Sequence, residues 1–429
     1  MSYDSWGRNY QSTHLIHPIF WKNNIIYPSG PETLLPYGMG RSYGDVCQNP
    51  EEWLLPTRGL NRFIHFDREQ GVLACEAGVS FDEILSLIVP KGYFLPVTPG
   101  TKFVTVGGAI ANDIHGKNHH QKGTFGCYVT QFELLRSDGQ LLLCSPDENA
   151  HLFKATIGGL GLTGLITWAE FKLQKIKGPL IDCETIPFRG LHSFFNLSEE
   201  SKDYEYTVAW IDSLSLDLHG VFFRGNHAQE KQSLQISKKN LAIPFNFPSW
   251  VLNKHLVRCF NTSYSWIHSR RKKHLVSYEP FFYPLDRILN WNKIYGKKGF
   301  FQYQCLIPKK DAFNILSEIL KLIAKSGLAS FLSVLKEFGN ISSPGLMSFP
   351  REGTTLAMDF SNYDQKTLDL FNELDQIVSS VHGRVYPAKD AHMSSVSFQN
   401  FFPEWKEFIN FVDPRFSSGF WRRVTGGGL

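Results

Sequence analysis

The chain has 429 residues, 42% of them hydrophobic and 20% charged, with a formal net charge of +4. That length suffices for two domains with cores of their own, the composition excludes a disordered chain, and so mild a charge excludes a nucleic-acid binder with a basic face. Seven scattered cysteines without a Cys-x-x-Cys pair point to reduced thiols rather than a disulfide framework or zinc ribbon, and a polar Met1–Tyr10 with no apolar run of about 18 residues predicts a cytoplasmic protein, at most peripheral at the inner face of a membrane.

In chain order, Thr33 to Pro36 is extended and leads into a glycine-rich turn, Gly38-Met39-Gly40-Arg41-Ser42-Tyr43-Gly44-Asp45. Val72 to Ala77 and Leu165 to Leu173 read as strands, and Phe132–Leu135 with Leu141–Leu143 as a hairpin turning at Asp138-Gly139. Ser80 with Glu83 forms a capping box before Ile84, Leu85 and Ile88. Ser145-Pro146 with Glu148 gives the same start signal before Leu152 and Phe153. The texture changes near Lys177-Gly178-Pro179. Longer strands follow at Thr207–Ile211, Gly220–Arg224, Phe300–Ile307, Phe331–Phe338 and Thr354–Phe360. Two amphipathic helices accompany them, one on Phe313, Leu316, Ile319, Leu320 and Ile323 stopped by Gly327, the other on Leu370 to Val381 stopped by Gly383. The fold class is α+β, a sheet with helices on one side in the second part of the chain.

The densest chemistry lies in Val97 to Gly126. Gly100 follows Pro99 in a turn, and Gly107 and Gly108 open a helix of small residues, where free N–H groups favour an anion and the missing Cβ atoms let backbone approach a pyrophosphate. With the loop Gly38–Asp45 on the other side, a phosphate-bearing cofactor such as a flavin dinucleotide is gripped from two directions. His115, His119 and His120 also have a spacing open to zinc, though no Cys or paired carboxylate nearby completes a site and Gly116 interrupts the helix, so no metal is assigned.

Three stretches, the loop Gly38–Asp45, Val97–Phe125 and Ile157-Gly158-Gly159-Leu160-Gly161-Leu162-Thr163-Gly164, resemble the flavin-binding domain of the vanillyl-alcohol-oxidase type of FAD oxidoreductase. Within that type the chain is most similar to the decaprenylphosphoryl-ribose 2′-oxidase family, the oxidase component of a 2′-epimerase. The resemblance runs on to Gly383-Arg384-Val385-Tyr386-Pro387-Ala388-Lys389-Asp390, and His115-Gly116-Lys117-Asn118-His119-His120 is its most specific piece. It implies a two-domain flavoenzyme: a split FAD-binding domain of the PCMH type at 1–178, a substrate domain with an antiparallel sheet flanked by helices at 179–382, and a return to the flavin domain at 383–429.

The resemblance also implies roles. Gly38, Gly40, Arg41, Ser42, Tyr43, Gly44, Asp45, Gly100, Thr105, Gly107, Gly108, Asn112, His115, Ile166 and Tyr386 are expected to bind FAD. Tyr43, Lys117, Gln304, Lys336, Phe338, Thr355, Ala357 and Lys389 are expected around the substrate, with Lys389, His115 and Lys117 catalytic. Gln302 and Gln304 alternate with Phe301 and Tyr303 on a strand, so both amides share a face, as do Lys336 and Phe338. The implied reaction is FAD-dependent oxidation of a secondary alcohol on a sugar, by resemblance the 2′-hydroxyl of a polyprenylphosphoryl ribose to the keto intermediate of an epimerisation, with a short-chain NAD(P)H reductase as partner and a quinone or dioxygen as electron acceptor. A soluble aldonolactone or alditol oxidase is the alternative within the same chemistry, and a zinc hydrolase built on the histidines the rival outside it.

Two departures matter. Superfamily members that attach FAD covalently carry a histidine in the first glycine loop, where this chain has Arg41 to Asp45, so non-covalent binding is expected. Thr355 and Ala357 stand where mycobacterial family enzymes have an asparagine and a cysteine facing the substrate. Between Pro244 and Lys298, aromatics including Trp250, Phe260, Trp266 and Trp291 are interleaved with Arg270-Arg271-Lys272-Lys273, a pattern suited to a lipid headgroup layer.

Overall fold

A computed structural model describes residues 3–215, 217–229, 241–248, 254–328, 330 and 332–426; Trp250 and Phe331 lie outside them. Two antiparallel sheets organise the chain. The first has five strands in the order Phe63–Asp67, Val72–Glu76, Leu165–Lys172, Val129–Leu135, Leu141–Cys144. Its hairpin turns with Gly139 at φ 87°, where glycine carries no Cβ penalty, and pairs Leu135 with Leu141. The helices Phe81–Ile88 and Val106–Ala111 cover it, burying Phe81, Ile84 and Leu85 against Leu73, Phe132 and Phe171. The capping box holds: Ser80 Oγ accepts from Glu83 N–H at 3.3 Å while Glu83 Oε2 accepts from Ser80 N–H at 2.7 Å.

The second sheet has eight strands, Lys272–Ser277, Leu180–Arg189, His219–His227, Tyr206–Ile211, Ser333–Phe338, Gly353–Ser361, Phe300–Pro308 and Arg384–Val385, every neighbouring pair antiparallel. Helices Ala312–Ser326 and Gln365–Ser380 lie on one side, so Phe301 and Tyr303 pack against Phe371 while Gln302 and Gln304 face the other way. Gly327 ends the first helix in the left-handed region. The second ends one residue earlier than the glycine suggested. His382 takes the positive φ of 54°, and the Gly383 N–H closes a six-residue loop onto Val378 O at 2.9 Å; glycine is needed at 383 for packing instead, since a Cβ there would collide with Leu306 O.

The second start signal differs as well. Ser145 does not cap the helix Ala150–Thr156; its Oγ accepts from Asp147 and Glu148 N–H groups at 3.2 and 2.9 Å in a turn of its own, and Asn149 in the left-handed region leads into the helix. Local side-chain bonding competes with capping here. Residues 384–426 run back to the N-terminal part. Leu34 N–H donates to Arg415 O at 2.6 Å, and the helix Gly419–Thr425 packs over Asp45–Cys47.

Candidate active site

A cavity of about 520 Å³ lies between the two sheets. One wall is the loop Gly38–Tyr43 with Thr98 to Lys117; the other is the glutamine face of the second sheet, closed by Tyr386 to Lys389. The loop can lie this close to residues 387–390 because Gly44 has no side chain, since any Cβ there would strike Asp390 O. Tyr43 N–H then donates to Ala388 O at 2.9 Å, and Lys389 Nζ sits 3.8 Å above the centre of the Tyr43 ring.

A dinucleotide needs donors that the protein itself leaves free. Gly107 and Gly108 do not supply them: Gly107 N–H donates to Ala77 O at 2.8 Å and Gly108 N–H to Thr105 Oγ1 at 3.2 Å. Those glycines serve close approach, since a Cβ on Gly107 would come within 3.2 Å of the Ala77 Cβ, and Thr105 serves as N-cap of the six-residue helix. The loop does better. Among the described residues, the N–H groups of Gly40, Arg41 and Ser42 have no protein acceptor. The Asn112 Oδ1 and His115 Nδ1 atoms are buried beside the cavity without a partner among the described residues. A flat cofactor rich in donors and acceptors would satisfy both. Arg41 is held between Trp6 and Phe103, 4.0 and 5.4 Å from their ring centres, and burial lowers its pKa.

At the sheet side the charge chemistry concentrates. Gln304 Nε2 lies 3.0 Å from His115 Nε2 and 3.2 Å from Thr355 Oγ1, which itself donates to Cys305 O at 2.9 Å. Donation from the amide makes His115 Nε2 the acceptor and leaves the ring proton on Nδ1. Burial, then Lys336, His119 and Lys389, hold this histidine's pKa well below normal, so the ring is neutral. Lys117 and Lys336 are drawn down to about 7 and about 8, burial being the main cause in each. Lys117 donates to Phe281 O. Burial also lowers Lys389, opposed by Asp359 and reinforced by Lys336, while it raises Asp359, which accepts from Gln302 Nε2 at 2.5 Å. Three lysines with lowered pKa values thus open onto one cavity, with Asp359 acting on Lys389, an arrangement that favours an anion and a proton acceptor poised near neutrality.

Of the expected residues, Gly38, Gly40, Arg41, Ser42, Tyr43, Gly100, Thr105, Gly107, Gly108, Asn112, His115, Lys117, Ile166, Gln304, Lys336, Ala357, Tyr386 and Lys389 line the cavity. Four do not. Gly44 packs on Asp390, and Asp45 turns away to Arg423 at 2.7 Å. Phe338 stands behind His115, ring centres 4.9 Å apart, and Thr355 is fully buried behind Gln304. His119 packs at a tilt on Phe338, ring centres 4.3 Å apart, and His120 meets Tyr204 O at 2.8 Å. Among the described residues no three His, Cys, Asp or Glu side chains are grouped to hold a metal. Sequence reasoning missed Asp359, although the alternation Thr355, Ala357, Asp359 puts it on the same face. It also missed Asp390, His392 and Arg423. Asp390 accepts from Arg423 at 2.9 Å and from His392 at 3.0 Å, fixing the residue after Lys389.

Residues 31–145 match the model of an FAD binding domain. The chain is 32% identical over 415 residues to decaprenylphosphoryl-β-D-ribose oxidase of Mycolicibacterium smegmatis, covering 92% of this chain and 90% of that protein. The chain belongs to this family of FAD-dependent oxidoreductases. A Streptomyces coelicolor protein described only as uncharacterized, in the mprA 5′ region, is 27% identical over 81% of the chain and its own full length. A putative D-arabinono-1,4-lactone oxidase of Neurospora crassa is 29% identical over 136 residues, 32% of this chain and 24% of the relative. Family membership removes the zinc-hydrolase alternative. No helix among the described residues is long and apolar enough to cross a membrane.

Proposed function

We propose that this flavoenzyme oxidises a secondary hydroxyl of a phosphate-bearing pentose, in the lipid-linked form the 2′-hydroxyl of a polyprenylphosphoryl ribose, as the keto-forming half of an epimerisation. The observation that carries the reading is the set of three depressed lysines facing one cavity beside the flavin loops. Non-covalently bound FAD supplies a two-electron acceptor for the hydride leaving the carbinol carbon. Lys389, neutral in part because it is desolvated, accepts the hydroxyl proton, and Asp359 stabilises the ammonium that results. Lys117 and Lys336, charged below about pH 7 and 8, meet the phosphate. Neutral His115, oriented by Gln304, and Tyr386, whose hydroxyl donates to Asn112 O at 2.8 Å, hold the floor. On this reading the first sheet belongs to a flavin part, 1–178 with 383–429, and the second, apart from its edge strand Arg384–Val385, to a substrate part, 179–382. A short-chain NAD(P)H reductase would complete the epimerisation, and a quinone or dioxygen would take the electrons.

The aldonolactone or alditol oxidase alternative has less support, because the lactone-oxidase likeness covers only 32% of the chain. Anaerobic mixing with a panel of free sugars, lactones and polyprenylphosphoryl pentoses separates the two. Bleaching of the flavin absorbance by phosphoryl pentoses is expected; bleaching only by lactones or free alditols would overturn the proposal.

A further inference from the structure

The outer side of the cavity wall has an unusual make-up. Residues 254–298 carry ten Lys and Arg against two acids, a local excess of eight in a chain whose total is +4. Both acids are spent inward: Glu279 pairs with Lys102 at 2.7 Å, and Asp286 accepts the Lys102 backbone N–H at 2.8 Å. The basic side chains of Arg258, Arg270 and Lys272 are exposed, whereas Arg271 is engaged by Glu184 at 2.5 Å.

Large apolar side chains are exposed in the same neighbourhood. Trp266 and Ile267 are 78% and 68% exposed, and Leu241 and Phe245 71% and 63%. The helix Lys254–Ile267 is two-sided: Val257 and Asn261 are buried, and Tyr264 lines the cavity with its ring 4.6 Å from that of Trp210. Its last turn presents Trp266 and Ile267 outward, immediately before the basic run. Leu241–Ala242 pairs with Ile288–Leu289, and the segment from Pro280 to Trp291 supplies further cavity wall. The elements bearing exposed apolar and basic side chains are therefore the ones that bound the cavity.

We infer that this surface docks on an anionic lipid bilayer and holds the cavity against the headgroup layer. Charge complementarity selects a negative surface, because the remainder of the chain carries a net deficit while these residues carry the excess. Aliphatic and indole side chains beside the cations select lipid over nucleic acid, since Ile267 and Leu241 have no base to stack on but gain from insertion among acyl chains. Docking rests on the lipid-linked reading of the substrate: a polyprenyl chain would remain in the bilayer while its phosphoryl sugar reaches Lys117 and Lys336.

The test uses the flavin-loaded full chain with vesicles of phosphatidylcholine alone and of phosphatidylcholine mixed with phosphatidylglycerol, read by co-flotation in the absence of substrate. Binding to the anionic vesicles only, weakened by salt, is expected. Arg270→Gln with Lys272→Gln should weaken it roughly 25-fold, about fivefold for each charge removed. Trp266→Ser with Ile267→Ser should abolish flotation while flavin absorbance and thermal melting stay unchanged. Equal binding to both vesicles, an unaltered Trp266/Ile267 variant, or tighter binding to RNA than to anionic vesicles would overturn the inference. Bleaching by a water-soluble phosphoryl pentose is measured separately, so failure of the chemistry is read apart from failure of docking.

Discussion

Two groups of buried charge sit within one segment of each other and behave in opposite ways. Around Asp390, every ion has its counter-ion: Arg423 bridges Asp45 and Asp390, and His392 lies 3.0 Å from Asp390 and 3.4 Å from Asp375. Burial alone would raise the Asp390 pKa, but Arg423 and His392 hold it far below the usual carboxylate range. Burial likewise opposes the charge on His392, yet Asp390 lifts it to about 9. Across the cavity wall, Asp359 offsets part of the burial cost of Lys389, while burial is the main influence on Lys117 and Lys336, and in all three burial wins. Compensation makes a rigid brace, and under-compensation makes a site that waits for an anion.

That contrast can be broken at several points. Lys389→Met should keep its flavin yet slow anaerobic bleaching about 10²- to 10⁴-fold, the span of a general-base loss; a normal rate would remove Lys389 from the chemistry. Lys117→Met and Lys336→Met should raise KM for a phosphate-bearing sugar about tenfold or more each, with kcat less affected. In the parent enzyme the same affinity should decline as pH rises past about 7 to 8, where the two ammonium groups discharge, and each variant should flatten that profile.

On the compensated side, Arg423→Met strips the buried Asp45 of its cation and leaves Asp390 with His392 alone, and should cost about 3–5 kcal/mol, read by denaturant unfolding. The His392 pKa is raised above its ordinary 6.5, so its stabilisation is complete below that value and is lost as pH climbs through about 9. Melting temperature should fall over that window, and a His392→Gln variant should lack the fall. Smallest of all, Thr355→Val removes one hydroxyl from behind Gln304 and should change kcat only a few-fold.

Much of the fold was legible in the sequence because it rests on local chemistry. The Ser80–Glu83 capping box, the Asp138-Gly139 turn and the apolar period of the helix Ala312–Ser326 are each decided within a few residues. Where two local options competed, as at Ser145, whose hydroxyl closes its own turn instead of capping a helix, and at His382 against Gly383, the sequence pattern alone did not choose between them. The alternation of Gln302 and Gln304 was readable as a shared face, but not which face met the cavity. Asp45 looked like part of the glycine loop, and nothing near it in sequence reveals that Arg423, 378 positions on, turns it away. The Asp390–His392–Arg423 brace was invisible for the same reason.

The return of residues 384–426 onto the first strands has a consequence for biosynthesis. Lys389 and the backbone on which Tyr43 rests emerge from the ribosome more than three hundred residues after the Gly38–Tyr43 loop they complete. The complete cradle therefore exists only once this return has folded, and a nascent chain halted before it would carry a half-built one with its glycine loops exposed.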